Sequence, residues 1–315
     1  QNTTWKNRAA AGVVASIMKI IISGASGLVG QALTASLTRQ GHEIVRLVRS
    51  AGPRGADEAP WNPVEGTLDH AAIDGADAVI NLNGRNIGSG RWTAAVKDEL
   101  RTSRLDATRT LVEAIGKCER PPRLLINASA TGFYGERGDQ ELDEQAEAGD
   151  GFLAELARDW EAAALKAESE ATRVVLLRFG MILAEDGALK KMLTPFKLGA
   201  GGPIGSGRQY WPWIDIDDVC GITAFVLKQV DLKGPINAVA PEQVRCKQFT
   251  STLGRVLGRP AILPLPAFAA RLALGEMADG LLLASTRVRP AALEQAGYTF
   301  RSPDLETALK RILGR

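Results

Sequence analysis

The sequence predicts an α/β protein built on a parallel, doubly wound sheet, and three observations carry that prediction. Strand candidates alternate with helix-period segments over the first two thirds of the chain. An apolar run, Ile20, Ile21 and Ile22, ends in Gly24, Gly27 and Gly30 at G-x-x-G-x-x-G spacing, with Leu28, Val29, Leu33 and Leu37 following at helical period. After Gly180 the alternation gives way to a glycine-rich loop and helical stretches. At 315 residues the chain can bury one large domain or one and a half.

The elements follow in order. Residues 1–17 read as an N-terminal extension: Lys6 and Arg8 precede a mildly apolar stretch that runs into the first strand without room for a cleavage site, and Met18 is the natural start. Strands are expected at Ile17–Ser23, Glu43–Val48, Ala78–Leu82, Arg123–Ala128 and Arg173–Phe179. Helices are expected near 27–40, 92–117 and 151–170, the last with Leu153, Leu156, Trp160, Ala163 and Ala164 along one face. Residues 51–70, rich in Pro, Gly and Ala, read as a loop with at most a short helix. Beyond Gly180, Gly199–Gly207 reads as a loop and Asp215–Lys228 as a capped helix, and Pro260–Pro266 leads into the closing helices. The expected division is 18–180 for the nucleotide-binding domain. Residues 181–315 would be mainly a substrate lobe, part of it returning to the sheet.

Composition narrows the function classes. The chain has 38 basic and 36 acidic residues, few aromatics and no basic block, which is no nucleic-acid surface. Cys118, Cys220 and Cys246 form no C-x-x-C pair and read as reduced thiols of a cytoplasmic protein. His42 and His70 do not make a metal site, and His42 is expected in the turn before the second strand. No apolar run approaches the ~20 residues of a membrane span. A small-molecule substrate is the expected partner, with the oligomeric state left open.

The glycines point to a dinucleotide. Gly24 lets the chain turn, Gly27 lets the backbone approach a pyrophosphate, and Gly30 lets the helix pack closely on the strand. The residue closing the second strand reads the adenine ribose, where an acid selects NAD and an arginine selects NADP. Here that strand ends in Val48-Arg49, so the expected cofactor is NADP with Arg49 as its reader. Arg46 is the weaker candidate. The third strand ends Asn81-Leu82-Asn83-Gly84, whose backbone would line the cofactor beyond the adenine. Glu99 and Arg104, on the helix after Arg91-Trp92, read from charge alone as a solvated helix face.

These residues together resemble the extended branch of the short-chain dehydrogenase/reductase superfamily, and within it the atypical subgroup named for NAD(P)-dependent sugar-nucleotide epimerases. The resemblance runs from Met18 to the end. It rests on Lys19–Gly30, Asn81–Gly84, Ser103-Arg104-Leu105, Ser129–Gly135, Asp159-Trp160-Glu161, Arg178–Leu183, Pro195–Gln209 and Trp213–Asp218, among other segments. It implies a Rossmann-type fold with NADP at the strand ends and a C-terminal lobe over the substrate. It also raises Ser26, Leu28, Val29, Leu82, Asn83, Glu99 and Arg104 to cofactor neighbours, and places Gly180 and Met181 at the nicotinamide end.

The chain departs from the superfamily at its chemistry. No Tyr-x-x-x-Lys occurs, because Gly138, Ile214 and Ser302 stand four residues beyond Tyr134, Tyr210 and Tyr298. On the expected helix Arg158 is the only basic side chain near the lysine position. Ala130 occupies the usual serine position, flanked by Ser129 and Thr131. The diphosphate-binding arginine of G-x-G-x-Q-x-R-D is missing from Gly205-Ser206-Gly207-Arg208-Gln209-Tyr210-Trp211-Pro212. Two readings remain. One is an NADP-dependent oxidoreductase or epimerase acting on a small carbonyl or sugar-nucleotide-like substrate, with Tyr134 and then Ser129 as proton donors. The other is a catalytically silent NADP-binding redox sensor or partner-binding module.

Overall fold

The structure, a computed structural model, describes residues 17–49 and 55–315. The expected extension at 1–17 lies almost wholly outside these residues. Ile20, Ile21 and Ile22 are fully buried in β1 (Lys19–Ser23), an interior strand of an eight-stranded sheet. From β1 the chain steps outward to β2 (Glu43–Val48), β3 (Glu58–Asn62) and β4 (Thr67–Leu68). It then crosses back to β5 (Ala78–Asn81) and β6 (Leu124–Ala130) on the other side of β1. After the short β7 (Glu141–Leu142), β8 (Arg173–Phe179) joins β6. A parallel pair follows, β9 (Met181–Leu183) with β10 (Trp213–Asp215), and β11 (Gly234–Ala238) closes the main sheet beside β8. β12 (Arg287–Val288) pairs with β7. All main-sheet pairings are parallel except β3 with β4.

Helices cover both faces, as strands with near-continuous apolar runs require. α1 (Leu28–Arg39) packs Leu33 and Leu37 on the face of Ile20 and Ile22, and α2 (Ala94–Ile115) packs Ala107 and Leu111 on the face of Ile21. α3 (Phe152–Leu165) lies beside α2 and buries Trp160, Ala163 and Ala164. α4 (Ala188–Lys197), α5 (Ile216–Lys228) and α6 (Cys246–Leu257) follow, α5 on the α1 side. The chain ends in α7 (Ala267–Leu274), α8 (Glu276–Ala278), α9 (Ala291–Gln295) and α10 (Leu305–Ile312).

One expectation is corrected: residues 51–70 hold β3 and β4 rather than a plain loop. Ala59 and Trp61 alternate inward and are buried, a two-residue period that the surrounding Pro and Gly obscure. Pro60 is paired with Val48 of β2 but has no partner in β4, which meets only Trp61 and Asn62, so the proline occupies the open side of the strand. The other expected strands and helices form within two residues at most ends, the largest exception being α3, which stops at Leu165. His42 is buried just before β2, where its Nδ1 accepts a bond from the Met18 N–H.

The strand order reverses between β1 and β5, and the crevice at the carboxyl ends there is where open α/β sheets bind ligands. Two buried carboxylates hold the C-terminal segments across this frame. Asp215 caps α5 through the Asp217 N–H, accepts a bond from Ser302 Oγ (2.7 Å) and pairs with Arg311 of α10. Asp218 accepts from the backbone N–H groups of Arg301 and Ser302 and from the Tyr298 hydroxyl.

Candidate functional site

The turn from β1 into α1 is built for an anion. Gly24 has φ +75°, and a Cβ there would lie 2.9 Å from the Leu82 carbonyl carbon. A Cβ on Gly30 would lie 2.3 Å from Gly24 O, so both glycines are demanded by the fold itself. Gly27 differs. Its backbone is extended, and a Cβ there would touch only Gly24 O at 3.4 Å, an ordinary contact. Its missing side chain serves the solvent side, where Ser26, Gly27 and Leu28 are all exposed. The first α-helical bond runs from Gln31 N to Gly27 O. The N–H groups of Leu28, Val29 and Gly30 therefore precede the ladder, without a side-chain cap or an acidic residue in the first turn.

Of the expected neighbours, Leu82 and Asn83 lie against Gly24. Arg49 follows β2 and is exposed, whereas Arg46 is held by Asp57 (2.8 Å) and Glu58 (3.0 Å). Leu82 continues β5 by donating its N–H to Ser23 O, and the Asn83 N–H and side-chain amide both donate to Asn81 Oδ1. Gly84 lies against Arg104, whose guanidinium would be 2.9 Å from a Cβ at that position. Arg104 bonds the carbonyls of Leu100 and Arg85 and stacks over Trp160, with no carboxylate partner among the described residues. Burial pulls it down to about 10. Glu99 pairs with Arg85, so it steadies the loop after Gly84 from the solvent side. At the far end, a Cβ on Gly180 would lie 2.8 Å from the Pro212 carbonyl, and Met181 N donates to Pro212 O.

Beneath the crevice runs a buried polar network. Asn81 accepts from Ser23 Oγ and donates to Thr108 Oγ1 and Asn127 Oδ1, while Trp160 Nε1 also donates to Thr108 Oγ1. It ties β1, β5 and β6 to α2 and α3 at the ends that face the crevice.

A second network takes the two expected proton donors. Ser129 is buried and donates to Glu161 Oε1 at 2.6 Å, and Glu161 forms a two-bond ion pair with Arg178 at 2.8 Å each. Arg178 donates to the Tyr134 hydroxyl (2.9 Å), which donates to Asn237 Oδ1 (2.7 Å). Tyr134 has no exposed surface, and burial pushes its phenol up to about 12 against the pull of Arg178. Neither hydroxyl lines the cleft described next. Ser129 is the last buried residue of β6 and is held by Glu161, and the Tyr134 hydroxyl is enclosed by Arg178 and Asn237. Arg158 points outward and pairs with Asp159.

The cleft has a volume of about 220 Å³ and lies between the end of β6, the start of α3 and the C-terminal segment 276–286. Gly132, Phe152, Leu153 and Trp92 form its apolar walls. Trp92 meets Phe152 edge-on with ring centroids 5.4 Å apart. Arg208 is exposed and does not line it. Sequence reasoning did not anticipate the Asn81–Thr108–Trp160 node, the Glu161–Arg178 pair or the carboxylates of this cleft. Asn81, Trp160, Glu161 and Arg178 fall inside segments singled out above for their resemblance, but polar residues give no period that marks them as buried.

Comparisons with known proteins agree with this architecture. The profile of the NAD dependent epimerase/dehydratase family matches residues 20–239, and that of a domain of unknown function matches residues 265–312. An epimerase family protein of Mycobacterium leprae is 44% identical over 291 residues, covering 92% of this chain and 94% of that protein. The crystal structure of human epimerase family protein SDR39U1 (isoform 2) with NADPH is similar at a TM-score of 0.88 and 35% identity, over 95% of this chain and 100% of that one. A nucleoside-diphosphate sugar epimerase from Corynebacterium glutamicum is similar at a TM-score of 0.77 and 36% identity, over 95% of this chain and 59% of that one. With a parallel sheet, a glycine cradle at its switch point and the mycobacterial and human relatives alike over nearly their whole length, the chain belongs to the NAD dependent epimerase/dehydratase family, in the extended branch of the short-chain dehydrogenase/reductase superfamily.

Proposed function

We propose that the protein is an NADP-dependent oxidoreductase or epimerase-type enzyme acting on a small organic substrate in the cleft beside β6. The observation that carries this reading is Gly27: the fold leaves room for a Cβ there, and a pyrophosphate at the N-terminus of α1 would not. NADP fits the remaining residues. Arg49 offers an exposed guanidinium where a 2′-phosphate would lie, and Arg46 is already engaged by two carboxylates. Arg104 brings a buried cation without a carboxylate partner to the Leu82–Gly84 side, and Gly180 and Met181 would border the nicotinamide. The NADPH in the human relative supports the same choice.

When bound, the cofactor supplies or removes a hydride. The chain's own residues bind, orient and exclude water. The α1 N–H groups hold the pyrophosphate, Trp92 and Phe152 wall off the cleft, and the Ser129–Glu161–Arg178–Tyr134 network holds the strand ends in register. A phenol lifted to about 12 and closed off from the cleft is a poor proton donor, so Tyr134 and the buried Ser129 act in this reading by positioning. The cleft with its apolar walls favours the enzyme over a silent sensor.

The test is titration of the purified protein with NADPH and NADH, read by tryptophan quenching, in the wild type and in Arg49→Ala. The expected result is preference for NADPH that falls by about tenfold or more in the variant, the loss of one charge-assisted phosphate contact. Equal affinity for both dinucleotides would sink the NADP assignment, and no binding of either would sink the enzyme reading.

A further inference from the structure

The cleft has a chemical character of its own. Four of its lining residues carry carboxylates, Glu136, Asp150, Glu276 and Asp279, and no lysine or arginine lines it. Two of the four are neutralised: Glu276 by Lys97 at 2.5 Å and Asp279 by Arg271 at 2.9 Å. The other two are not. Glu136 takes backbone N–H bonds from Gly138 and Ser285, and Asp150 has no side-chain bond or ion pair among the described residues. The rest of the lining is apolar or glycine apart from Thr286.

From this lining we infer that the substrate is a compact, non-anionic carbonyl compound, or the matching alcohol, with an apolar body, and that a nucleoside diphosphate sugar is excluded. Two independent observations carry the inference. At about 220 Å³ the cleft falls below the roughly 300–1,000 Å³ of pockets that enclose drug-sized ligands, so it is too small to enclose a whole nucleotide sugar. Its uncompensated charge is negative, so a diphosphate would enter against Glu136 and Asp150 with no cation to receive it. Arg208, the one arginine of the segment that would take a diphosphate, lies outside the lining, where its carbonyl receives Arg245. The apolar walls and the two carboxylates without a cationic partner together favour an uncharged ring or chain, and more so one that bears an ammonium group.

The inference rests on the cofactor reading, so the experiment begins by saturating the protein with NADPH; failure at that step overturns the cofactor reading and not the substrate class. Calorimetry on the loaded protein then compares cyclohexanone, 4-aminocyclohexanone, 4-oxocyclohexanecarboxylate and UDP-glucose. The expected order is amine, then neutral ketone, then carboxylate, with the amine favoured over the carboxylate by about tenfold or more and no binding of UDP-glucose. In the Asp150→Asn, Glu136→Gln double variant the amine-to-carboxylate ratio should fall towards one while NADPH affinity stays at the wild-type value. Binding of UDP-glucose as tight as any ketone, no binding of any ketone, or a ratio unmoved by the double variant would overturn the proposal.

Discussion

At the scale of single residues, three glycines of one motif do different work. Gly24 and Gly30 are required by the protein's own atoms, at 2.9 Å from Leu82 and 2.3 Å from Gly24 O, whereas Gly27 meets nothing closer than 3.4 Å. Their alanine variants should therefore separate. Gly24→Ala forces a positive φ on a residue with a Cβ and should cost roughly 1–3 kcal/mol of stability. Gly27→Ala should melt within a degree or two of the wild type yet bind NADPH at least about tenfold more weakly. Thermal melts and tryptophan quenching on the two variants check both, and a Gly27→Ala protein with undiminished NADPH affinity would move the pyrophosphate elsewhere.

The elements are locked together at their crevice ends by side chains that a periodicity search passes over. Thr108 of α2 is fully buried and accepts from Asn81 of β5 and Trp160 of α3, both at 2.9 Å. Replacing it with valine keeps the shape and orphans two buried donors, at about 1–3 kcal/mol each. Thr108→Val should lose about 2–6 kcal/mol in urea unfolding with an unchanged m-value, and should loosen NADPH because Leu82–Gly84 hangs from Asn81. Unchanged stability would mean that water replaces the hydroxyl. Ser129 makes the same point: strand alternation was visible in the sequence, but which of Ser129 and Ala130 is buried depended on the pairing of β6 with β5 and β8.

On the scale of the whole molecule, the C-terminal helix is fastened to the sheet by charge. Arg311 of α10 pairs with the fully buried Asp215 and with Asp217 at the start of α5. Arg311→Ala leaves the Asp215 carboxylate with Ser302 and one backbone N–H. Because Arg311 itself is partly exposed, the loss should be roughly 1–3 kcal/mol rather than the larger cost of an entirely buried pair, a Tm lowered by several degrees. Arg311→Lys should recover part of it, and a melt indistinguishable from the wild type would show that the latch adds nothing. Among the described residues no helix is long and apolar enough to cross a membrane.

Read alone, the sequence determined the parallel α/β class, most element positions and the glycine cradle, because each rests on local rules of period, turn geometry and capping. It also marked where the superfamily's tyrosine and lysine are missing. Only the tertiary structure decided where the remaining hydroxyls lie. Tyr134 lies after β6 at the place expected of it, but Arg178 and Asn237, 44 and 103 residues away along the chain, enclose its hydroxyl. Ala59 and Trp61 form a strand because β2 offers an edge, in a stretch whose Pro, Gly and Ala content reads as loop. The cleft is assembled from Trp92, residues 132–136 and 150–153, and residues 276–286 much further along the chain, and its charge is a sum over residues that no local pattern relates. Contacts of that range are made by the fold, and their chemistry exists only once it has formed.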